Sequence, residues 1–346
     1  ALKLANLFSP GQADIVAELG QAYFQNKKFT EAEKMFLLAI EEKPHDYSLL
    51  CNVAGAQMEL KKYEDAEQAL KQADKIKPED KEILMSLGTL YLTTKKFHKA
   101  EKTLIKAYTI DREDIRIMHL ASIALAKNKK YDQAKSILEK AYRNNPNDLY
   151  LKRDLGAAYI YTYQYQKAKE FLLQVTEKLP DDLLTLIHLG NALLGNANYS
   201  EAEIVFRNAK KLDPKNLTIL SGLGVALTWQ KKFDDAEKEL NLANKYEKGD
   251  PFILNNLGSL YMARGEYSRA LEILLNAYQI NKKEGTLHSN LANVYYSLGD
   301  NKKALNHIRI GLELMPHNEE IKRNYNIILG VSKDTLTITP IIMKLK

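Results

Sequence analysis

The chain has 346 residues, long for one compact domain, and its 45% apolar and 27% charged composition excludes a disordered polymer. A single cysteine excludes an internal disulfide and a cysteine-built metal site, and no apolar run reaches the roughly 18 residues that span a bilayer. The net charge of +6, from 50 basic and 44 acidic residues, is too small a surplus to mark a polyanion binder, so nucleic acid is not an expected partner.

From Ala13 the sequence repeats every 34 residues, through starts at 13, 47, 81, 115, 149, 183, 217, 251 and 285, and it does so without insertion or deletion to Asn318. The eighth position of the unit is small: Gly20, Ala54, Gly88, Ser122, Gly156, Gly190, Gly224, Gly258 and Ala292. Twelve residues later comes alanine each time: Ala32, Ala66, Ala100, Ala134, Ala168, Ala202, Ala236, Ala270 and Ala304. An aromatic stands three residues before eight of these alanines, as in Phe29, Tyr63 and Tyr267, and proline closes most units, as at Pro44, Pro78 and Pro316. Apolar residues recur at helical spacing on both sides of a short turn, as in Leu84, Leu87, Leu90 and Tyr91, then Leu104 and Ala107. Each unit therefore reads as an antiparallel helix pair, A then B, whose small residues let the two helices approach closely. The proline falls where it stops the preceding helix. One pair cannot bury its apolar faces, but stacked neighbours can.

This pattern resembles the tetratricopeptide repeat, with its small–Tyr–Ala–large–Ala–Pro positions met over residues 13–318. The resemblance implies an all-α, right-handed superhelical solenoid of nine antiparallel helix pairs. The first consensus position of the family, usually Trp, departs here, and Lys152 and His288 in that slot are expected to weaken packing in repeats five and nine. Extended backwards, the register puts Leu2, Ala5 and Pro10 where the end of a preceding repeat belongs, so residues 1–12 read as the close of a truncated repeat. Extended forwards, residues 319–330 read as a C-terminal capping helix. Residues 331–346 read as a non-repeat tail, strand-like at Thr335–Thr339: a frayed end first, then the start of another domain, then a tail docked on the chain's own array or on a neighbour's.

No catalytic constellation is present. The seven histidines show no metal-ligand spacing, there is no glycine-rich phosphate loop, and neither cofactor nor metal is expected. In the family, helix A lines the concave face with repeat positions 2, 5, 6, 9, 12 and 13, which share one side of the helix. Mapped here they give three zones. The first is acidic: Asp14, Glu18, Glu59 and Glu82. The second is mostly basic: Arg116, His119, Lys127, Arg153 and His188, opposed by Asp154. It suits an acidic tail or carboxylate, although it lacks the Lys and Asn on one helix A that form the family's carboxylate clamp. The third is neutral and amide-rich: Asn191, Asn255, Asn256, Ser259, Thr286, Ser289, Asn290 and Asn293. Tyr161 and Trp229 are among the aromatics near this surface, and Trp229 is the only tryptophan.

Position 6 holds asparagine at Asn52, Asn256 and Asn290, which resembles the asparagine ladder by which such proteins hold extended peptides. Helices packed about 8–10 Å apart would place adjacent rungs at peptide groups roughly three residues apart in a strand rising about 3.3 Å per residue. Each amide offers the donors and acceptor that a backbone needs. Lysine pairs at Lys27–Lys28, Lys61–Lys62, Lys95–Lys96, Lys129–Lys130 and Lys231–Lys232 mark the A–B turns. They read as solubilising charge, with a basic edge for nucleic acid or anionic lipid as the alternative. The expected function is a non-enzymatic protein–protein interaction scaffold that binds an extended peptide or partner segment in the groove. The alternatives are a substrate-recruiting arm of a larger enzyme such as a glycosyltransferase, a periplasmic scaffold of an envelope assembly or polysaccharide-export system, and a self-associating scaffold.

Overall fold

A computed structural model describes residues 13–330. The reading of residues 1–12 as the end of a repeat, and of residues 331–346 as a strand-like tail, lies outside the described residues. Among the described residues there are 19 α-helices and no strand. Two compact units divide the chain. Unit 1, up to Ala158, contains α1 (Ala13–Gln25), α2 (Phe29–Glu42), α3 (Tyr47–Glu59), α4 (Tyr63–Ile76), α5 (Lys81–Thr93), α6 (Phe97–Ile110), α7 (Ile115–Lys127) and α8 (Tyr131–Asn144). The unit boundary falls within α9 (Leu149–Tyr161). Unit 2, from Tyr159, contains α10 (Tyr165–Lys178), α11 (Leu183–Gly195), α12 (Tyr199–Leu212), α13 (Leu217–Trp229), α14 (Phe233–Tyr246), α15 (Pro251–Arg264), α16 (Tyr267–Ile280), α17 (Gly285–Ser297), α18 (Asn301–Leu314) and α19 (Glu319–Ile328). Odd-numbered helices are the A helices and even-numbered ones the B helices.

The ends of the helices follow from local chemistry. Most A helices open on an aspartate or asparagine whose side chain accepts from the first free backbone N–H groups, α17 being an exception at Glu284. Asp46 accepts from Ser48 and Leu49, Asp80 from Glu82 and Ile83, Asp148 from Tyr150 and Leu151, and Asp250 from Phe252 and Ile253. Every A–B turn has one residue in the left-handed region: Lys27, Lys61, Lys95, Lys129, Tyr163, Ala197, Lys231, Gly265 and Gly299. At each, two backbone bonds close the end of helix A, as in Lys27 N–H to Phe24 C=O and Lys28 N–H to Tyr23 C=O. Glycine is the natural occupant of that conformation, yet it appears at only two of these turns.

Buried side chains interlock successive pairs. At the start of unit 1, Val16 of α1, Met35 and Ala39 of α2 and Leu49 of α3 form one cluster. At the end of unit 2, Ala292 of α17, Ile308 of α18 and Ile321 of α19 form another, extended by Tyr325 and Ile328. The core thus runs from each pair into the next helix A. Phe206 of α12 shows how closely the helices approach: a Cβ built on Gly190 would lie 2.5 Å from its ring, and one built on Gly222 2.4 Å. The ring is wedged between two bare backbones, one in its own repeat and one in the next.

The second lysine of four of the five turn pairs has a structural partner. Lys62 bridges back to Glu33, Lys96 to Glu67, Lys130 to Glu101 and Lys232 to Glu203, each in the preceding helix B. A neutral side chain of the next helix A adds a bond to the same carboxylate: Gln57 to Glu33, Tyr91 to Glu67, Asn128 to Glu101 and Gln230 to Glu203. Hydrogen bonds from Lys71 and Lys96 hold Glu67 down at about 2. Burial pushes Glu203 up, but Lys232, Arg207 and Gln230 hold it at about 2 as well. These lysines therefore latch one repeat to the next.

His288 was expected to weaken repeat nine. It is buried, with both ring nitrogens engaged. The Lys282 carbonyl can only accept, so His288 Nε2–H donates to it at 3.0 Å, and Nδ1 accepts from His307 Nδ1–H, also at 3.0 Å. Tyr278 meets both rings edge-on and Tyr295 stacks on His307.

Candidate functional site

The A-helix positions 2, 5, 6, 9, 12 and 13 differ between the two units. In unit 1 they carry exposed charge: Asp14, Glu18, Glu59, Glu82 and Arg116 are exposed. The acidic and basic zones neutralise each other where they meet. Arg116 Nη2 lies 2.6 Å from Glu82 and 2.8 Å from Asp114, which raises the guanidinium pKa further and depresses the Asp114 carboxyl. His119 Nδ1 lies 2.9 Å from Asp154 Oδ2, and Arg153 Nε lies 3.1 Å from Asp154 Oδ1. Burial opposes the charge on Asp154, but the contacts from His119 and Arg153 hold its pKa low. The Arg153 guanidinium also sits 5.2 Å from the Tyr150 ring centre. So Arg116, His119 and Arg153 are each committed to a carboxylate of this chain, and an acidic ligand would have to displace one. Asn52 is half-buried. Beside it lies a pocket of about 330 Å³ lined by Cys51, Gly55, Met58, Met85, Thr89 and Arg116. Burial pushes the Cys51 thiol up to about 11, with Asp80 and Asp46 adding to the shift, so it is an unreactive lining group.

Along α13, α15 and α17 of unit 2 these positions are uncharged. Residues 219–228 of α13, 253–262 of α15 and 285–295 of α17 are buried without a break. The expectation that Asn255, Asn256, Asn290 and Asn293 would stand exposed in a groove is therefore corrected: their exposures are 0%, 2%, 0% and 0%. Part of the reason is bonding between repeats. Asn290 Nδ2 donates to Asn255 Oδ1 at 3.0 Å and to Ser259 Oγ at 3.1 Å. The remaining polar capacity is not used up. Among the described residues, Asn255 Nδ2, both amide atoms of Asn256, and the hydroxyls of Ser221 and Ser289 are buried with no hydrogen-bond partner. A buried polar atom without a partner costs about 1–3 kcal/mol. Five such atoms on one face call for polar groups that meet them.

His188, Asn191 and Tyr161 are half-buried in the same unit, and burial raises the Tyr161 hydroxyl pKa. Trp229 does not stand free as a groove anchor. Its ring stacks on Tyr199 of the preceding repeat, with centres 5.9 Å apart and planes at 18°. Burial raises the Tyr199 hydroxyl pKa, and the charge of Glu320 on α19 adds to the shift, so α19 comes within electrostatic reach of the α11–α12 turn.

Sequence reasoning missed one rung. Asn324 lies 34 residues beyond Asn290, in the same slot as Asn256 and Asn290, and is fully buried. Carrying the period one step into α19 would have found it. The position-5 series Ser221, Asn255 and Ser289 was legible by the same count.

Models described as tetratricopeptide repeat match residues 57–122, 125–187, 193–253 and 261–323, and a second such model matches residues 13–46. No curated protein matches the sequence. Among solved structures, the chain is similar to a tetratricopeptide repeat protein from Parabacteroides merdae, at 14% identity over 72% of this chain and 98% of that one, with a TM-score of 0.60. It is also similar to yeast Tom70, at 15% identity over 93% of this chain and 81% of that one, with a TM-score of 0.46. A MamA RS-1 double mutant is 20% identical over 49% of this chain and 94% of its own, with a TM-score of 0.43. These likenesses concern the fold alone. Among the described residues, no helix is long and apolar enough to cross a membrane.

Proposed function

The chain belongs to the tetratricopeptide repeat family, whose members are generally protein–protein interaction scaffolds, and on that premise we propose that it holds an extended peptide segment along the uncharged faces of α13, α15 and α17. The observation that carries this reading is the set of buried, partnerless polar atoms on Ser221, Asn255, Asn256 and Ser289. A peptide backbone presents a donor and an acceptor at each residue, which is what amide and hydroxyl side chains in register take. Each bond contributes only about 0.5–1.5 kcal/mol net, so affinity comes from several rungs together. A charged side chain in the peptide would meet no counter-charge along α13 and α17, which favours uncharged, β-prone segments. The basic surface around Arg116, His119 and Arg153 is a secondary contact, because its cations are already paired.

The test is a pull-down with the full chain beside an Asn256→Ala/Asn290→Ala variant, with recovered proteins identified by mass. Loss of about two rungs should weaken a groove ligand roughly tenfold or more. Proteins recovered by the native chain and lost by the variant would support the reading. Equal recovery by both would refute it and move the binding surface to the charged face of unit 1.

A further inference from the structure

Unit 1 carries a site of different chemistry on its own A helices. The pocket of about 330 Å³ beside Asn52 is lined by Gly55 and Met58 of α3, Met85 and Thr89 of α5 and Leu120 of α7, all half-buried. Gly55 has no packing reason within the chain. A Cβ built on Gly20, Gly88, Gly190, Gly222, Gly224 or Gly258 would meet a large side chain at 2.3–2.7 Å, whereas one built on Gly55 meets only the edge of the Phe24 ring, at 3.8 Å. Glycine inside a helix is less favourable than alanine. An interior glycine that no neighbour crowds therefore points to a group from outside the chain that approaches the bare backbone.

We propose that this pocket binds a peptide segment in which one bulky apolar side chain is flanked by lysine or arginine. The apolar part follows from the walls. Methionine side chains adapt to varied apolar shapes. The volume lies at the lower end of ligand sites, about 300–1,000 Å³, which suits one leucine, methionine or phenylalanine side chain seated over Gly55.

The basic part follows from charge. The groove positions of α1, α3 and α5 carry Asp14, Glu18, Glu59 and Glu82 and no cation. Lys43 neutralises Asp14, and Arg116 neutralises Glu82. Glu18 and Glu59 are exposed and, among the described residues, in no ion pair. Arg116, at the rim, is held by Glu82 and Asp114 and so does not offset these two carboxylates. Glu59 lies one helical turn beyond Gly55, on the same side of α3. Glu18 lies on α1 six residues before Phe24, about 9 Å along that helix, within reach of a lysine or arginine two or three residues from the apolar anchor. The site does not rest on the peptide reading for unit 2: its ligand is basic and anchored, where that one is uncharged.

Fluorescence anisotropy of the full chain tests this with dye-labelled nine-residue peptides that carry a central leucine, methionine or phenylalanine, two lysines on each side and serine elsewhere. Binding should weaken roughly ten- to a hundredfold when the central residue is alanine, the effect of burying one such side chain. It should weaken at least about tenfold when glutamates replace the lysines, and it should fall as salt rises. Gly55→Met fills the pocket from within, where a Cβ meets nothing closer than 3.8 Å. It should keep or exceed the native melting temperature and weaken the probe at least about tenfold. Glu18→Gln/Glu59→Gln alters exposed side chains only, and should weaken the probe about threefold and flatten its salt dependence. Cys51, the one cysteine of the chain, lines the pocket and reports position: its alkylation by N-ethylmaleimide, read by mass, should slow at least about tenfold under saturating probe.

Binding by none of these peptides overturns the proposal. So does undiminished binding by Gly55→Met, equal binding of the glutamate peptides, or alkylation of Cys51 that the probe leaves unchanged. Should Gly55→Met not fold, the glutamine pair decides, and an unchanged affinity and salt slope overturn the site. The Asn256→Ala/Asn290→Ala variant keeps this result separate from the reading of unit 2. Probe affinity should be unchanged in it; a loss would place the probe on unit 2 and overturn the site in unit 1, while the pull-down still decides the other reading.

Discussion

Adding one methyl group at Gly190 should destabilise the protein by about 2 kcal/mol, and the effect should depend on Phe206. In an unconstrained helix interior, glycine to alanine is a gain of about 1 kcal/mol. Here the new Cβ would stand 2.5 Å from Phe206 Cζ, closer than real Cβ contacts come. The ring cannot swing away, because Gly222 bounds it on the other side, where a Cβ would lie 2.4 Å from the same atom. Overpacking of this kind costs typically about 1–3 kcal/mol, and the two-sided wedge puts Gly190→Ala at the upper end before the helix gain is subtracted. The chain itself contains the relief. Repeat two pairs Ala54 with Leu70, and repeat nine pairs Ala292 with Ile308, in the same two slots. Gly190→Ala combined with Phe206→Leu should therefore lose at least about 1 kcal/mol less than the sum of the two single changes. Urea unfolding followed by Trp229 fluorescence reads this locally, which suits an array whose repeats need not unfold together. A Gly190→Ala chain more stable than the native one would refute the wedge. So would strict additivity in the double variant.

Two further outcomes follow from backbone and titration. Ala197 occupies the left-handed turn conformation at φ 58°, so Ala197→Gly should stabilise by about 0.5–1 kcal/mol; the mirror change Gly265→Ala, at φ 84° with nothing within 4 Å of the added Cβ, should cost a similar amount. Urea midpoints of the two variants check the pair, and a stabilising Gly265→Ala would contradict it. Burial, together with the neighbouring His288, pushes His307 down to about 4 from the ordinary 6.5. The unfolded chain then binds the proton more readily than the folded one, so stability is full above about pH 6.5 and falls as the pH drops towards about 4. His307→Asn, which keeps a donor towards His288, should flatten the midpoint between pH 6.5 and 4.5, while the carboxylate losses at Glu67 and Glu203 begin only below about 4.5.

The repeat was legible because its cause is local and recurs. A small residue at position 8 is needed wherever the B helix presses a large side chain on helix A, and the count of 34 exposes that need at each copy. The aspartates at Asp46, Asp80, Asp148 and Asp250 were equally legible, since an N-cap precedes each apolar run. The lysine pairs were half legible. Seen alone they read as rim charge, but Glu33, Glu67, Glu101 and Glu203 recur 29 residues before the second lysine, and two opposite charges recurring at a fixed offset form a contact in a stacked array.

The face of unit 2 was misread for a different reason. A family-wide assignment of groove positions says which side a residue is on. It does not say whether that side meets water. The chain did carry the needed signal. Helices α3, α5 and α7 place Glu59, Glu82 and Arg116 among those positions, whereas α13 and α17 place no charge at any of them. A helix with apolar and small neutral residues all round is one buried all round. Solvation alone would favour charged side chains, as in unit 1, and a face that keeps amides and hydroxyls yet excludes charge has the composition that the proposed peptide contact requires.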